Sequence, residues 1–364
     1  MTSPTAALNA VCPYFTMFPL EFPLRVLSRE SATNAKVLDP FCGRGTTNMA
    51  ARLQGLSSVG IDSHPLATAL TKAKLVSTNS KAIVKALERI LSESGDVEGV
   101  PTGEFWELAF EEATLTHITR VRSALLRDCR SAARVALRAI LLGVLHGPVM
   151  KGAPSYLSNQ SPRTYAPKPR YAVNFWRKHD LRPKKVDIHD LVTRRAHRYF
   201  GKVLPSVHSQ VLLGDSRDEN MFHKLEGREV DWVITSPPYY GLNTYRPDQW
   251  LRLWFLGGPD FVDYSQPDQL SHDSPESYTK QLSRVWKNCE GVCRDGARMV
   301  VRFGQISDRQ VNAFEILRES FSETNWRIQT KCDAGVASMG KRQADHFGVS
   351  STAQREFDFW AINC

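Results

Sequence analysis

Residues 231–245 read DWVITSPPYYGLNTY. Trp232, Val233 and Ile234 form the apolar run of a buried strand. Pro237 and Pro238 have no N–H to give a ladder, so the strand must stop there. It stops on the Ser236 hydroxyl, the Pro237 carbonyl and the Tyr239 ring. Two acceptors and a ring orient a bound polar molecule rather than attack it covalently. In an open α/β sheet, ligands sit beyond the carboxyl ends of strands, which is where this corner falls. A Ser-Pro-Pro-Tyr string alone also suits a polyproline turn or linker. Its company in the chain decides between the two.

That company lies about 190 residues upstream. Residues 36–39, KVLD, read as a short buried strand feeding the string DPFCGRGTT, a tight turn followed by a helix from about Thr46 to Leu53. Gly43 and Gly45 allow a sharp bend and let a ligand approach without a β-carbon in the way. A second strand, Ser58 to Ile61, ends in Asp62, before Ser63, His64 and Pro65 open another helix. An acidic residue about 20 positions past the turn's own aspartate can accept hydrogen bonds from two ribose hydroxyls. A simple helix cap is the plainer role for Asp62.

The glycine turn and the proline corner together resemble the amino-methyltransferases that modify exocyclic amines of DNA bases with S-adenosylmethionine. The match is to the Ser-Pro-Pro-Tyr branch, which usually acts on the N4 amine of cytosine. The resemblance covers about 200 residues: the amino-terminal arm, the first two strands, and everything after about Val211. It implies an α/β fold, a Rossmann-like seven-stranded methyltransferase sheet, here with a largely helical insertion. It further implies S-adenosylmethionine as cofactor, with Tyr14, Phe15 and Thr16 over its methionine end. Asp39, Phe41, Cys42, Gly43, Gly45 and Thr46 would line the turn, Asp62 would hold the ribose, and Asp215 with Ser216 would lie near the adenine amine. Arg44 stands where the family often has serine. The catalytic set is Ser236, Pro237, Pro238 and Tyr239. Ser236 and the Pro237 carbonyl accept the two amine N–H bonds while Tyr239 stacks on a flipped-out base. No Pro-Cys dipeptide occurs, which sets aside the carbon-5 cytosine enzymes. Adenine N6, structured RNA, and a catalytically silent DNA-binding module of the same fold stay open as alternatives. The implied partners are double-stranded DNA and a cognate restriction endonuclease, in a restriction-modification or marking role.

Composition agrees with a globular chain of one large or two ordinary domains. The 364 residues are 42% hydrophobic and 23% charged, without an apolar run of membrane length. Seven scattered cysteines lack zinc spacing, so we expect a reduced cytoplasmic protein, nucleoid-associated and without structural metal. The formal charge of +9 has one source. Between Lys151 and Lys202, thirteen Lys or Arg face three Asp, a net of +10, interleaved with Tyr156, Tyr165, Tyr171, Phe175, Trp176, Tyr199 and Phe200. Cations beside rings suit a nucleic-acid surface, although a solvated face is also basic. Arg163, Lys168, Arg170, Arg177 and Lys178 are the candidates here, with Lys341 and Arg342 in a later loop.

The expected organisation is a cofactor half with an amino-terminal arm over 1–77, a helical and basic recognition insertion over 78–204, and a catalytic half over 205–364. Within the insertion, Lys81 to Ser92 and Glu104 to Leu145 carry helical spacing, with Val121, Leu125, Val135, Leu137, Ile140 and Leu141 as core. Prolines 154, 162, 167 and 169 predict a loop before a helix from Val186 to Phe200. Later strands are expected at 211–213, 297–303, 326–330 and 357–362, with helices at 275–289 and 308–320 and an aromatic loop region from Tyr245.

Overall fold

A computed structural model describes residues 7–14, 18–30, 33–147, 153–158, 168–225, 227, 229–240, 246–265, 269–304, 312–336 and 355–364. The chain divides into two compact units. One comprises Tyr14–Leu75, Pro205–Thr244 and Pro267–Cys364, and it holds the sheet.

Its strands are β1 (Lys36–Asp39), β2 (Ser57–Asp62), β3 (Ser209–Leu213), β4 (Val230–Thr235), β5 (Cys293–Gly304), β6 (Trp326–Val336) and β7 (Arg355–Asn363). They lie in the order β3-β2-β1-β4-β5-β7-β6. The first five pair in parallel, and β7 runs antiparallel to both β5 and β6. This is the Rossmann-like seven-stranded α/β sheet that the resemblance implied. Strand order reverses between β1 and β4, so the ligand crevice of such a sheet opens at their carboxyl ends.

Helices cover the sheet because their apolar residues fall on one face. In Pro275–Glu290, Tyr278, Leu282, Val285, Trp286 and Cys289 are buried at helical spacing. They join Leu38, Val59, Val233, Val301 and Phe359 from the strands in one core. Ser274 caps this helix by accepting from the Ser277 N–H at 3.1 Å, and Pro275 occupies its first turn, where no N–H is needed. Across β5 and β7, Arg302 stands opposite Asp358 and donates to both of its carboxylate oxygens at 2.7 and 2.9 Å. The Arg302 guanidinium also lies 3.8 Å from the Phe22 ring centroid. A buried, doubly hydrogen-bonded pair fixes strand register more than it adds net stability.

The second unit comprises Met1–Pro13, Val76–Leu204 and Tyr245–Gln266. It contains the helices Ser80–Leu91, Glu104–Ala109, Glu112–Arg127, Ala132–Val144, Pro169–Lys178, Ile188–Phe200 and Trp250–Phe255. All six expected core positions, Val121 to Leu141, are buried. The helical spacing after Glu104 is met by three helices, broken where Phe110 and Asp128 adopt extended backbone. Two local expectations need correction. Pro169 opens a helix instead of extending the loop, since the first helical turn tolerates proline. The aromatic region after Tyr245 contains a 3-10 turn, Arg246–Gln249, and then the helix Trp250–Phe255. Rings hold these short helices: Phe105 meets Trp250 at 4.8 Å and Trp176 at 5.5 Å, and Trp106 meets Trp254 at 4.6 Å. Among the described residues, no helix is long and apolar enough to cross a membrane.

Candidate functional site

Parallel pairing of β1 with β4 aligns Leu38 with Val233, so both strands end at the same level. The two corners singled out in the sequence therefore emerge side by side. Two hydroxyls tie them together. Thr235 Oγ1 donates to Asp39 Oδ1 at 2.6 Å, and Thr47 Oγ1 donates to the Ile234 carbonyl at 3.1 Å. Both threonines are fully buried. Sequence reasoning assigned neither a role, although each adjoins a motif that it did assign.

The glycine turn has the backbone that its residues predict. Gly43 and Gly45 have φ of +50° and +76°, the left-handed region that favours glycine. The Gly45 N–H closes the turn on the Cys42 carbonyl at 2.7 Å, and its carbonyl starts the next helix by accepting from Met49 at 3.0 Å. Thr71 donates to the Gly43 carbonyl at 3.0 Å, and the buried Lys74 ammonium donates to the Arg44 carbonyl. Asp62 holds the turn from the neighbouring strand: Oδ2 accepts from the Gly43 N–H and Oδ1 from the His64 N–H, each at 2.8 Å. Asp62 thus braces the loop before the following helix and fixes the turn at the same time; the helix itself is capped by His64, whose Nδ1 accepts from the Leu66 N–H at 3.2 Å. Thr46 and Cys42 are buried, as is Arg44, while Phe41 is half-buried and meets Trp286 edge-on. The Tyr14 ring lies beside the turn, 3.9 Å from where a β-carbon on residue 43 would stand, and meets His64 edge-on. Phe15 and Thr16 lie outside the described residues.

Charge is concentrated here. Burial raises the Asp39 carboxyl to about 7 and the Asp62 carboxyl to about 6, and Asp62 adds repulsion at Asp39. Asp39 Oδ1 accepts from Thr235 and from the Phe41 N–H at 3.1 Å, whereas its buried Oδ2 has no hydrogen-bond partner among the described residues. An acceptor left without a donor, beside a turn built for close approach, fits a ligand that brings cationic and hydroxyl groups.

A raised folded-state pKa means that Asp39 contributes stability at pH below about 4 and loses it as pH rises through about 7. Asp39→Asn is therefore expected to stabilise the ligand-free protein at pH 8 by on the order of 2–4 kcal/mol. Its pH dependence between 5 and 8 should flatten, and cofactor affinity should fall. Thermal unfolding of both proteins at pH 6 and pH 8 checks this; equal slopes would refute the buried charge.

At the other corner, Ser236 is half-exposed, Pro237 is buried, and the Pro238 carbonyl accepts from the Tyr278 hydroxyl. Tyr239 is 9% exposed, with its ring edge-on to Phe303 at 5.4 Å and its hydroxyl donating to Glu356 at 3.0 Å. Burial and the neighbouring Glu356 carboxylate raise its pKa far above the usual phenol range. Tyr240, Tyr278 and His272 form an adjoining ring cluster, with Tyr240 5.5 Å from Tyr278. Neither Tyr278 nor Glu356 was visible in the motif, since both come from distant elements.

Beyond β3, the Asp215 carboxylate is ion-paired with Arg217, which also reaches Gln281. Ser216 is buried, and its hydroxyl donates to the Pro40 carbonyl at 2.5 Å. In the helical unit, Lys168, Arg170, Arg177 and Lys178 are all exposed. Arg177 pairs with Glu104, and Lys168 sits 5.4 Å over the Tyr264 ring. Arg163, Lys341 and Arg342 lie outside the described residues.

Among solved structures, the chain is similar to the rRNA methyltransferase aviRa from Streptomyces viridochromogenes. That likeness has 11% identity and a TM-score of 0.37, over 100% of this chain and 94% of that one. A SAM-dependent methyltransferase from Methanosarcina mazei gives 9% and 0.36 over 95% and 98%, and TehB from Haemophilus influenzae 8% and 0.37 over 96% and 63%. No curated protein matches the sequence. Residues 4–72 match the family model described as DNA methylase. The matched stretch carries Asp39, Gly43, Gly45 and Asp62, and it supports reading the chain as a methyltransferase.

Proposed function

We propose that this protein transfers a methyl group from S-adenosylmethionine to the exocyclic amine of a DNA base, the N4 amine of cytosine. The observation that carries this reading is the Thr235–Asp39 hydrogen bond, which joins the Ser-Pro-Pro-Tyr corner to the glycine turn at the strand-order reversal.

Bound S-adenosylmethionine would supply an electrophilic methyl group carried on a cationic sulfur. Tyr14, Phe41, Gly43, Gly45, Asp39 and Asp62 fit it. The glycines admit close approach, Asp39 Oδ2 offers an unused acceptor, and the Asp62 oxygens keep lone pairs for ribose hydroxyls. The remaining work falls to the proline corner. A cytosine amine is a poor nucleophile because its lone pair is spread into the ring. Ser236 Oγ and the Pro237 carbonyl accept its two N–H bonds and turn the lone pair out of the ring plane. Such orientation accounts for most of the expected acceleration. A base paired in a duplex is out of reach, so the target is flipped out at a cost of a few kcal/mol.

The helix Pro169–Lys178 supports DNA as the substrate. It buries Ala172, Val173 and Trp176 and exposes Arg170, Tyr171, Asn174, Arg177 and Lys178 on the opposite side. Arg177 on that face is paired with Glu104, and the helix itself contributes no acidic residue, which suits phosphate contact by Arg170 and Lys178.

Incubation with genomic DNA and labelled S-adenosylmethionine, followed by mass spectrometry of the nucleosides, tests the reading. N4-methylcytosine is the expected product. N6-methyladenine would move the specificity, labelling of RNA alone would move the substrate, and no labelled nucleic acid would refute the activity.

A further inference from the structure

Glu356 stands 117 residues from the proline corner in sequence, yet its carboxylate receives the Tyr239 hydroxyl at 3.0 Å. The contact is built into the sheet. Glu356 on β7 pairs with Gly304 on β5, and the Arg302–Asp358 ion pair fixes that register two residues away. Residue 304 must be small, because a β-carbon there would come within 2.9 Å of Tyr239 Cε2 and 3.2 Å of Glu356 Cγ. Phe303 closes on the ring from the side. The Tyr239 hydroxyl is therefore held in place, and the Ser236 side chain is close enough to it that hydrogen bonding from Ser236 lowers its pKa.

The direction of these bonds follows from counting protons. A phenol has one, and an ionised carboxylate can only accept, so the Tyr239 proton goes to Glu356. The Tyr239 oxygen is then left as the acceptor in its bond with Ser236, and the Ser236 proton must point at Tyr239. What Ser236 presents elsewhere is lone pairs. A serine hydroxyl is otherwise ambivalent and can turn its proton toward an incoming N–H, where it would repel. An aspartate at this place would have no such ambiguity, which gives the serine a need for an orienting partner.

We propose that Glu356 is a positioning residue for methyl transfer: acting through Tyr239, it fixes the Ser236 hydroxyl as an acceptor for the N–H of the target amine. The proposal rests on the function stated above and adds a residue that no motif contains. It also gives the Tyr239 hydroxyl a task separate from that of its ring.

Steady-state methylation of DNA by the full chain tests this with Glu356→Ala, Glu356→Gln, Tyr239→Phe and the double variant Glu356→Ala/Tyr239→Phe. Glu356→Ala and Tyr239→Phe should each lower kcat by roughly 10- to 100-fold, the scale of a small misplacement. The KM for S-adenosylmethionine should stay near wild type. Glu356→Gln should recover most of the rate, because its amide oxygen can accept the same bond. The double variant should lose no more than the worse single one, since both cut one chain of bonds. A Glu356→Ala rate within twofold of wild type would overturn the proposal, as would additive losses or a glutamine variant as slow as the alanine one. If Glu356→Ala fails to fold, Tyr239→Phe and Glu356→Gln still decide: wild-type rate in the first, or full loss in the second, overturns it. A wild-type protein that methylates no nucleic acid would overturn the function itself, and this role with it.

Discussion

Ser236→Ala is expected to lower kcat by about 10²- to 10³-fold, the usual scale for removing one group aimed at the reacting centre. S-adenosylmethionine affinity should change little. The argument is one of geometry and of what is lost. Ser236 follows directly on β4, whose buried Thr235 anchors the corner to Asp39, so alanine at 236 leaves that anchor in place. The side chain is half-exposed, and removing one hydroxyl there leaves no large cavity. What disappears is an acceptor for one amine N–H, which leaves the lone pair free to relax into the ring. Single-turnover rates with cofactor binding measured by titration separate the two effects. A variant that loses cofactor affinity and turnover in proportion would place Ser236 in the cofactor pocket instead.

Gly45→Ala is expected to destabilise the fold by roughly 2–5 kcal/mol, the sum of a left-handed backbone cost of about 1–2 kcal/mol and overpacking of about 1–3 kcal/mol. A β-carbon at residue 45 would lie 2.6 Å from both Thr71 Oγ1 and Cγ2, and Thr71 is itself buried and bonded to the Gly43 carbonyl. It cannot swing away without releasing the turn, so cofactor affinity should fall as well. Gly55 supplies the control. Its φ of +73° is nearly the same as that of Gly45, but nothing lies within 4 Å of its missing β-carbon. Gly55→Ala should therefore show the backbone cost alone. Denaturant unfolding of the two variants reads the difference, and equal losses would show that the crowding at Thr71 is relieved elsewhere.

Much of the cofactor side was legible in the chain because it is local. The strand Lys36–Asp39 and the helix Thr46–Leu53 begin and end where their residues predict, since a strand, a glycine bend and a helix start are all written within eighteen positions. The rest depends on partners far away. Glu356 gives no sign of its own, since a glutamate near a strand end is ordinary until the antiparallel pairing sets it against Gly304. β6 was expected only to Thr330 and runs on to Val336, because residues 329–333 are exposed and polar and show no alternation. β5 begins four residues early for the same reason, as Arg294, Asp295 and Gly296 are exposed. The helix from Pro169 was hidden by weighing its proline as a breaker, when the first turn is where proline does least harm.

The pairing of β5 with β7 has one more consequence. Side chains along a strand alternate between faces, so a slip of a single position would turn Phe359 out of the interior and carry Glu356 away from Tyr239 in the same motion. With Phe359 lost from the core as well, such molecules would fail to fold, a larger defect than loss of the Glu356 contact alone. A damaged or hastily refolded preparation should show fewer working copies by active-site titration, each turning over at the full rate.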